Sequence, residues 1–152
     1  MNIIIRQPET KAEWNQYYHL RWQILRQPWN QPPGSEKDEL EDTSIHRMAI
    51  FKTNNSLQVI AVGRLHITDN DKAQIRYMAV DEKNRRFGVG NKILRALEEA
   101  ALQKNITHIE LNARESAVDF YQANHYEIDE AAHTLYDEIR HFKMKKVLGH
   151  QI

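Results

Sequence analysis

The segment Val80-Asp81-Glu82-Lys83-Asn84-Arg85-Arg86-Phe87-Gly88-Val89-Gly90 constrains this chain more than any other. An apolar run from Ile75 to Val80 leads into it and alternates like a strand, with Ile75, Tyr77 and Ala79 on one face. Val89, Ile93, Leu97 and Ala100 then recur at helical spacing, with Lys92, Arg95 and Glu99 largely outside that stripe. The order is therefore strand, two arginines, two glycines, helix. Glycine lets the backbone turn tightly because no Cβ stands in the way. The free N–H groups at the helix start then face whatever binds there, which makes an anion site suited to a diphosphate. Two rival phosphate loops are absent. No G-x-x-x-x-G-K-[ST] occurs, and no G-x-G-x-x-G with an acidic residue about twenty positions on.

The remaining elements rest on local signals. Ile3 to Arg6 reads as a strand. Thr10-x-x-Glu13 is a capping box that opens a helix carrying Trp14, Tyr17, Tyr18 and Leu25 on one side. Pro28, Pro32, Pro33 and Gly34 break that helix into a loop, and Ser35 to Asp42 is a short acidic stretch with a helical turn or two. Ile45 to Lys52, Leu57 to Ile67 and Gln74 to Val80 are strands joined by turn residues, an antiparallel meander. A strand over His108 to Ala113, a short helix over Arg114 to Tyr121, and closing strands near Tyr126 and from Ile139 to Val147 complete the order. Strands interleaved with helices around central hairpins predict an α/β fold with a mixed sheet. The 152 residues suffice for one domain, spanning 1–152, with a real core.

Arg85-Arg86-Phe87-Gly88-Val89-Gly90 after a strand resembles the R-x-x-G-x-G acyl-CoA signature of the GNAT N-acetyltransferase superfamily. Ala117, Phe120, Tyr121 and Tyr126 resemble its later motif, a strand followed by A-x-x-F-Y-x-x-x-G-[FY]. The two blocks stand in the right order, and the pattern can be followed from about Ile45 to Leu148. The resemblance implies a mostly antiparallel central sheet flanked by helices, with two splayed parallel strands at its centre.

It also implies a site. Pantetheine, which carries amides, would lie between the splayed strands and pair with free backbone of Tyr77 to Val80 as an added strand does. The thioester carbonyl would sit near Met78 and Ala79, where a backbone N–H can stabilise an oxyanion. The coenzyme contacts expected are Met78, Ala79, Val80, Arg85, Arg86, Phe87, Gly88, Val89, Gly90, Asn91, Asn112 and Tyr121. Tyr121 matches the family's general acid. A phenol of pKa about 10 can protonate a leaving thiolate of about 8.5, given some tuning. Arg114 departs from the pattern, standing where many relatives have an asparagine that contacts the coenzyme arm. His125 stands where relatives have Gly, and it tolerates a left-handed helix end better than most residues.

The expected activity is transfer of an acetyl group from acetyl-CoA to a primary amine by direct attack in a ternary complex. There is no cysteine, so no Cys-acyl intermediate and no disulfide framework. Glu39, Asp42, His46, His66 and Glu110 are the candidates for a general base by type, and the sequence does not choose among them. The acceptor is expected against the first third of the chain, at Arg21, Trp22, Trp29, Glu39 and Asp42. There an acidic lip would attract cationic amines beside a tryptophan wall. The bland rival is a solvated loop with core tryptophans. Lys+Arg and Asp+Glu are both 21, so a nucleic-acid partner is not indicated. The apolar run at the N-terminus is too short for a signal peptide or membrane helix, so no membrane partner and a cytoplasmic location are expected. The partner is then a small-molecule or peptide amine, with acetyl-CoA as co-substrate and no metal, and a homodimer is left open. Two other classes stay open: an inactive CoA-binding sensor or interaction domain of the same fold, and a nucleotide-phosphate binder using the same helix start.

Overall fold

Thr10 opens the first helix by the capping box its spacing predicts. Its hydroxyl accepts from the Glu13 N–H at 3.1 Å, and the Glu13 carboxylate accepts from the Thr10 N–H at 3.3 Å. The computed structural model describes residues 2–136 and 138–149, with only the backbone of Arg86 and of residues 131–133. The elements in chain order are β1 (Ile3–Arg6), α1 (Lys11–Leu25), β2 (Ile45–Lys52), β3 (Leu57–Asp69), β4 (Lys72–Val80), α2 (Val89–Gln103), β5 (His108–Arg114), α3 (Val118–Ala123), β6 (Glu127–Leu135) and β7 (Ile139–Val147). A 3₁₀ turn over Glu82–Phe87 joins β4 to α2.

The strands form one sheet of seven in the order β1-β2-β3-β4-β5-β7-β6. Every neighbouring pair is antiparallel except β4 and β5, which run parallel. The mixed, mostly antiparallel α/β sheet with a parallel central pair is the architecture expected from the sequence.

A core lies on each face of the sheet. On one side α2 buries Val89, Ile93, Leu94 and Leu97 against Ala61, Leu65, Ile75 and Ile109. The helical stripe read from the sequence is therefore the buried face of α2, and Ala100 at its end is 5% exposed. On the other side α1 packs Tyr17, Leu20 and Leu25 on Met48, Ile50, Val62 and Ala79. Among the described residues no helix is long and apolar enough to cross a membrane.

Two local expectations are corrected. Ile75, Tyr77 and Ala79 do not share a face. Ile75 belongs to the α2 core, whereas Ala79 belongs to the α1 core with Tyr77 packed against it. The reason is a bulge. Tyr77 has φ 60, and one extra residue in a strand reverses the parity of everything after it. Second, Arg114 ends β5 rather than starting a helix, and a 3₁₀ turn over Glu115–Ala117 precedes α3. His125 takes φ 71 just after α3, the left-handed end anticipated there.

Candidate active site

The site begins where β4 and β5 part. Their parallel register runs from Lys72↔His108 to Ile75↔Leu111 and stops. Just beyond, β3 pairs Arg64 with Arg76 and Val62 with Ala79, so Gly63 alone faces Tyr77 and Met78. Position 63 has no room for a side chain. A Cβ there would lie 2.7 Å from Met78 Sδ, 2.8 Å from Ile93 Cγ2 and 2.9 Å from Leu97 Cδ1. The bulge turns β4 away from β5 while β3 continues to hold its other edge. Two cavities of about 390 and 370 Å³ open at this fork, and Leu25, Met78, Arg114, Ala117 and Tyr121 line both.

The first cavity gathers most of the expected coenzyme residues. Met78, Ala79, Val80, Arg85, Gly88, Gly90, Asn91 and Tyr121 all line it. Gly88 is left-handed at φ 65 and redirects the chain from the 3₁₀ turn into α2. The first backbone bond of the helix runs from the Lys92 N–H to the Gly88 carbonyl at 3.2 Å, so the N–H groups of Val89, Gly90 and Asn91 lie ahead of it. Gly90 serves a different end, since a Cβ on it would come within 3.2 Å of the Phe120 ring. Arg85 Nε donates to the Val80 carbonyl at 3.4 Å, which leans its guanidinium back over the strand end. Val89 is fully buried and Phe87 is 49% exposed, and neither lines the cavity. Asn112 lines the second cavity rather than the first. The Arg86 side chain lies outside the described residues.

Tyr121 sits between the two cavities, 6% exposed, with its ring edge-on to Phe120 and Tyr126 at 5.0 and 5.7 Å. Burial pushes its phenol well above the ordinary value of 10, so it stays protonated. Among the described residues its hydroxyl forms no hydrogen bond, and it is available to a ligand.

The second cavity is lined by basic side chains: Arg26, Arg76, Arg114 and His141. Arg114 Nη2 and Arg26 Nη1 both donate to the Leu25 carbonyl, at 3.0 and 3.1 Å. Burial holds the Arg114 pKa below its ordinary value, and the neighbouring Arg26 cation lowers it further.

The first third of the chain is arranged differently from the acidic lip expected there. Arg21 is fully buried and donates to the Glu41 carboxylate at 2.9 Å and the Glu36 carbonyl at 3.1 Å. Arg64, also fully buried, bonds Asp38 at 2.6 and 3.0 Å and Glu41 at 2.7 Å. Asp38 is thereby held well below the usual carboxylate range, chiefly by Arg64. The acidic stretch thus neutralises internal arginines. Glu39 and Asp42 are exposed, and neither they nor Arg21, Trp22 or Trp29 line either cavity. Trp22 donates its indole N–H to the Gln31 carbonyl at 3.0 Å, and Trp29 stacks on Tyr136 with centroids 6.2 Å apart. His46 is buried between the Tyr17 hydroxyl and the Glu41 carbonyl, both at 2.8 Å, away from the cavities. His66 and Glu110 also lie outside both linings.

Comparison with known proteins agrees with this layout. The sequence pattern of the Acetyltransferase (GNAT) family matches residues 14–126. The chain belongs to the GNAT acetyltransferase family. An uncharacterized N-acetyltransferase of Bacillus subtilis, YjcF, is 29% identical over 129 residues, covering 85% of this chain and 89% of that protein. Among solved structures, a Lactobacillus plantarum protein overlays this fold with TM-score 0.82, at 21% identity over 97% of this chain and 99% of that one. An aminoglycoside 6'-N-acetyltransferase complexed with coenzyme A overlays with TM-score 0.78, at 12% identity over 98% and 99% of the two chains.

The sequence of this GNAT chain did not point to Gln74, Arg26, Arg76 or His141, which all line the second cavity. Arg26 directly succeeds the last residue of α1, and basic residues near a helix end ordinarily read as dipole partners. Arg76 adjoins Tyr77, and nothing in the strand alternation announces a cavity there. Arg114 was the one detectable signal, a cation in place of a neutral amide.

Proposed function

We propose that this chain is a cytoplasmic N-acetyltransferase that moves the acetyl group of acetyl-CoA to a primary amine, in a small molecule or peptide, by direct attack in a ternary complex. The observation that carries the reading is the pair of cavities meeting at Met78 and Tyr121, where β4 and β5 part. One cavity offers what a coenzyme needs. Beyond Ile75, β4 has lost its β5 partner, so backbone there can bond the amides of an extended arm. The N–H groups of Gly90 and Asn91, with Arg85 beside them, suit a diphosphate. The other cavity admits the acceptor from the opposite side.

These positions support the following roles. A backbone N–H near Met78 and Ala79 stabilises the oxyanion that forms as the amine nitrogen attacks the thioester carbonyl. The new bond is C–N, and the bond that breaks is C–S. Tyr121 gives its proton to the departing thiolate: it lines both cavities, and its hydroxyl has no competing hydrogen-bond partner among the described residues. The proton lost from the amine passes to solvent and returns to the phenolate.

The test pairs a binding measurement with a turnover measurement. Calorimetry with CoA is expected to give binding that falls about tenfold in Arg85→Ala, the loss of a charged hydrogen bond of about 1.5 kcal/mol. Thiol release from acetyl-CoA across an amine panel is expected to exceed the amine-free rate. CoA binding with no amine-dependent release would turn the reading toward a CoA-binding sensor, and absence of CoA binding would overturn it.

A further inference from the structure

Arg26 and Arg114 come from opposite ends of the chain, yet both guanidinium groups donate to one backbone oxygen, that of Leu25. Two cations brought to one acceptor repel each other, and burial raises that cost. Among the described residues neither arginine has a carboxylate partner within ion-pair distance. Arg76 lines the same cavity, and its only carboxylate among the described residues, Asp38, is already held by two bonds from Arg64. Among the described residues no Asp or Glu appears in the lining. The chain as a whole carries equal numbers of acidic and basic residues, so this excess of positive charge belongs to the cavity and not to composition.

A cation cluster without counter-ions in a concave site is completed by an anion. Arg26 lines only the acceptor-side cavity, so the cluster is not simply an extension of the coenzyme's phosphate site at Gly88 to Asn91. We infer that the acceptor is a small amine that also carries an oxyanion, a carboxylate in the first instance, which Arg26 and Arg114 hold while the amine nitrogen faces Met78 and Tyr121. The cavity, at about 370 Å³, has room for a small acid such as an amino acid. This inference rests on the acetyltransferase reading of the same site. It replaces the cationic acceptor expected from the acidic stretch, whose carboxylates Asp38 and Glu41 are engaged by Arg21, Arg64 and Arg76.

Product-like probes test it without turnover. The full chain, saturated with CoA, is titrated calorimetrically with N-acetylglycine, N-acetyl-L-glutamate, N-acetylglycinamide and N-acetylaminomethylphosphonate. At least one of the two carboxylic acids is expected to bind ten times more tightly than the neutral amide, and Arg26→Gln and Arg114→Gln are each expected to abolish that preference. Arg26→Gln should keep CoA affinity within threefold, and circular dichroism and Tm check that both variants are folded. If the phosphonate alone binds, the oxyanion is a phosphate and the carboxylate assignment falls. If the amide binds as well as the acids, or if no acid binds while CoA does, the inference falls and the acetyltransferase reading stands. If CoA itself fails to bind, it is the acetyltransferase reading that falls.

Discussion

The Arg21 guanidinium lies 4.2 Å from the centre of the Tyr77 ring, and Arg64 and Arg76 approach the same ring at 4.8 and 4.5 Å. Arg21 and Arg64 each bury an Nε atom with no hydrogen-bond partner among the described residues. The ring's electron-rich face therefore substitutes for some of the solvation these cations have lost. It also sits at the bulge, on a backbone that a non-glycine residue adopts at a cost of about 1–2 kcal/mol.

Removing the ring is then more harmful than removing its hydroxyl. Tyr77→Phe is expected to change unfolding stability by less than about 1 kcal/mol, and Tyr77→Leu to lower it by about 2–4 kcal/mol, through lost cation–π contact and packing. Urea unfolding of the three proteins side by side measures this. Equal losses for Phe and Leu would assign the effect to the hydroxyl.

Gly63→Ala should unsettle the fork from behind. Its new methyl meets Met78, Ile93 and Leu97, all side chains at under 3 Å. Overpacking of this kind costs about 1–3 kcal/mol. Tm is expected to fall by roughly 2–4 °C for each kcal/mol. CoA affinity should fall with it, because Met78 lines the cavity proposed to hold the coenzyme. Pairing it with Met78→Ala, which frees the space, should recover part of the lost Tm.

Tyr121→Phe separates the phenol from its ring. The hydroxyl has no hydrogen bond to lose among the described residues, so stability and CoA affinity should be nearly unchanged. The acetyl-transfer rate should drop by about 10²–10⁴, the usual worth of a general acid. Single-turnover rates isolate the chemical step, and a loss under threefold would leave Tyr121 as a core aromatic.

Acid should weaken the start of α1. Hydrogen bonds from Arg6, and then from the Glu9 N–H, lower the Glu13 pKa from 4.5 to about 2. A carboxylate more acidic in the folded state stabilises fully above its unfolded pKa and loses that contribution as pH falls through the folded one. The stability gap between wild type and Glu13→Gln is therefore expected to be constant above pH 4.5 and to close toward pH 2. Denaturant midpoints at about pH 6, 3.5 and 2 track it, and a gap that persists at the lowest pH would point to packing.

The sequence made the elements and the segment that lines the first cavity legible because their signals are local. Thr10 and Glu13 sit within one helical turn, and Arg85 to Gly90 form one continuous segment. The second cavity was not legible, since its arginines stand at positions 26, 76 and 114 and meet only where β4 and β5 part. The ion pairs of the acidic stretch were hidden for the complementary reason. Its partners, Arg21 and Arg64, lie on α1 and β3, and no local pattern tells a carboxylate facing solvent from one facing a buried cation.

The fork gives the sheet an edge in its interior. Seven strands have two outer edges, here β1 and β6, but beyond Ile75 and Leu111 the facing sides of β4 and β5 add two more. Open edges usually invite pairing with another copy of the chain, and proteins shield them from it. Here Leu25 and Tyr121, which line both cavities, flank the gap. The unpaired backbone of the fork is thus flanked by side chains from α1 and α3, so it differs from the outer edges of β1 and β6 in not lying open as a flat edge.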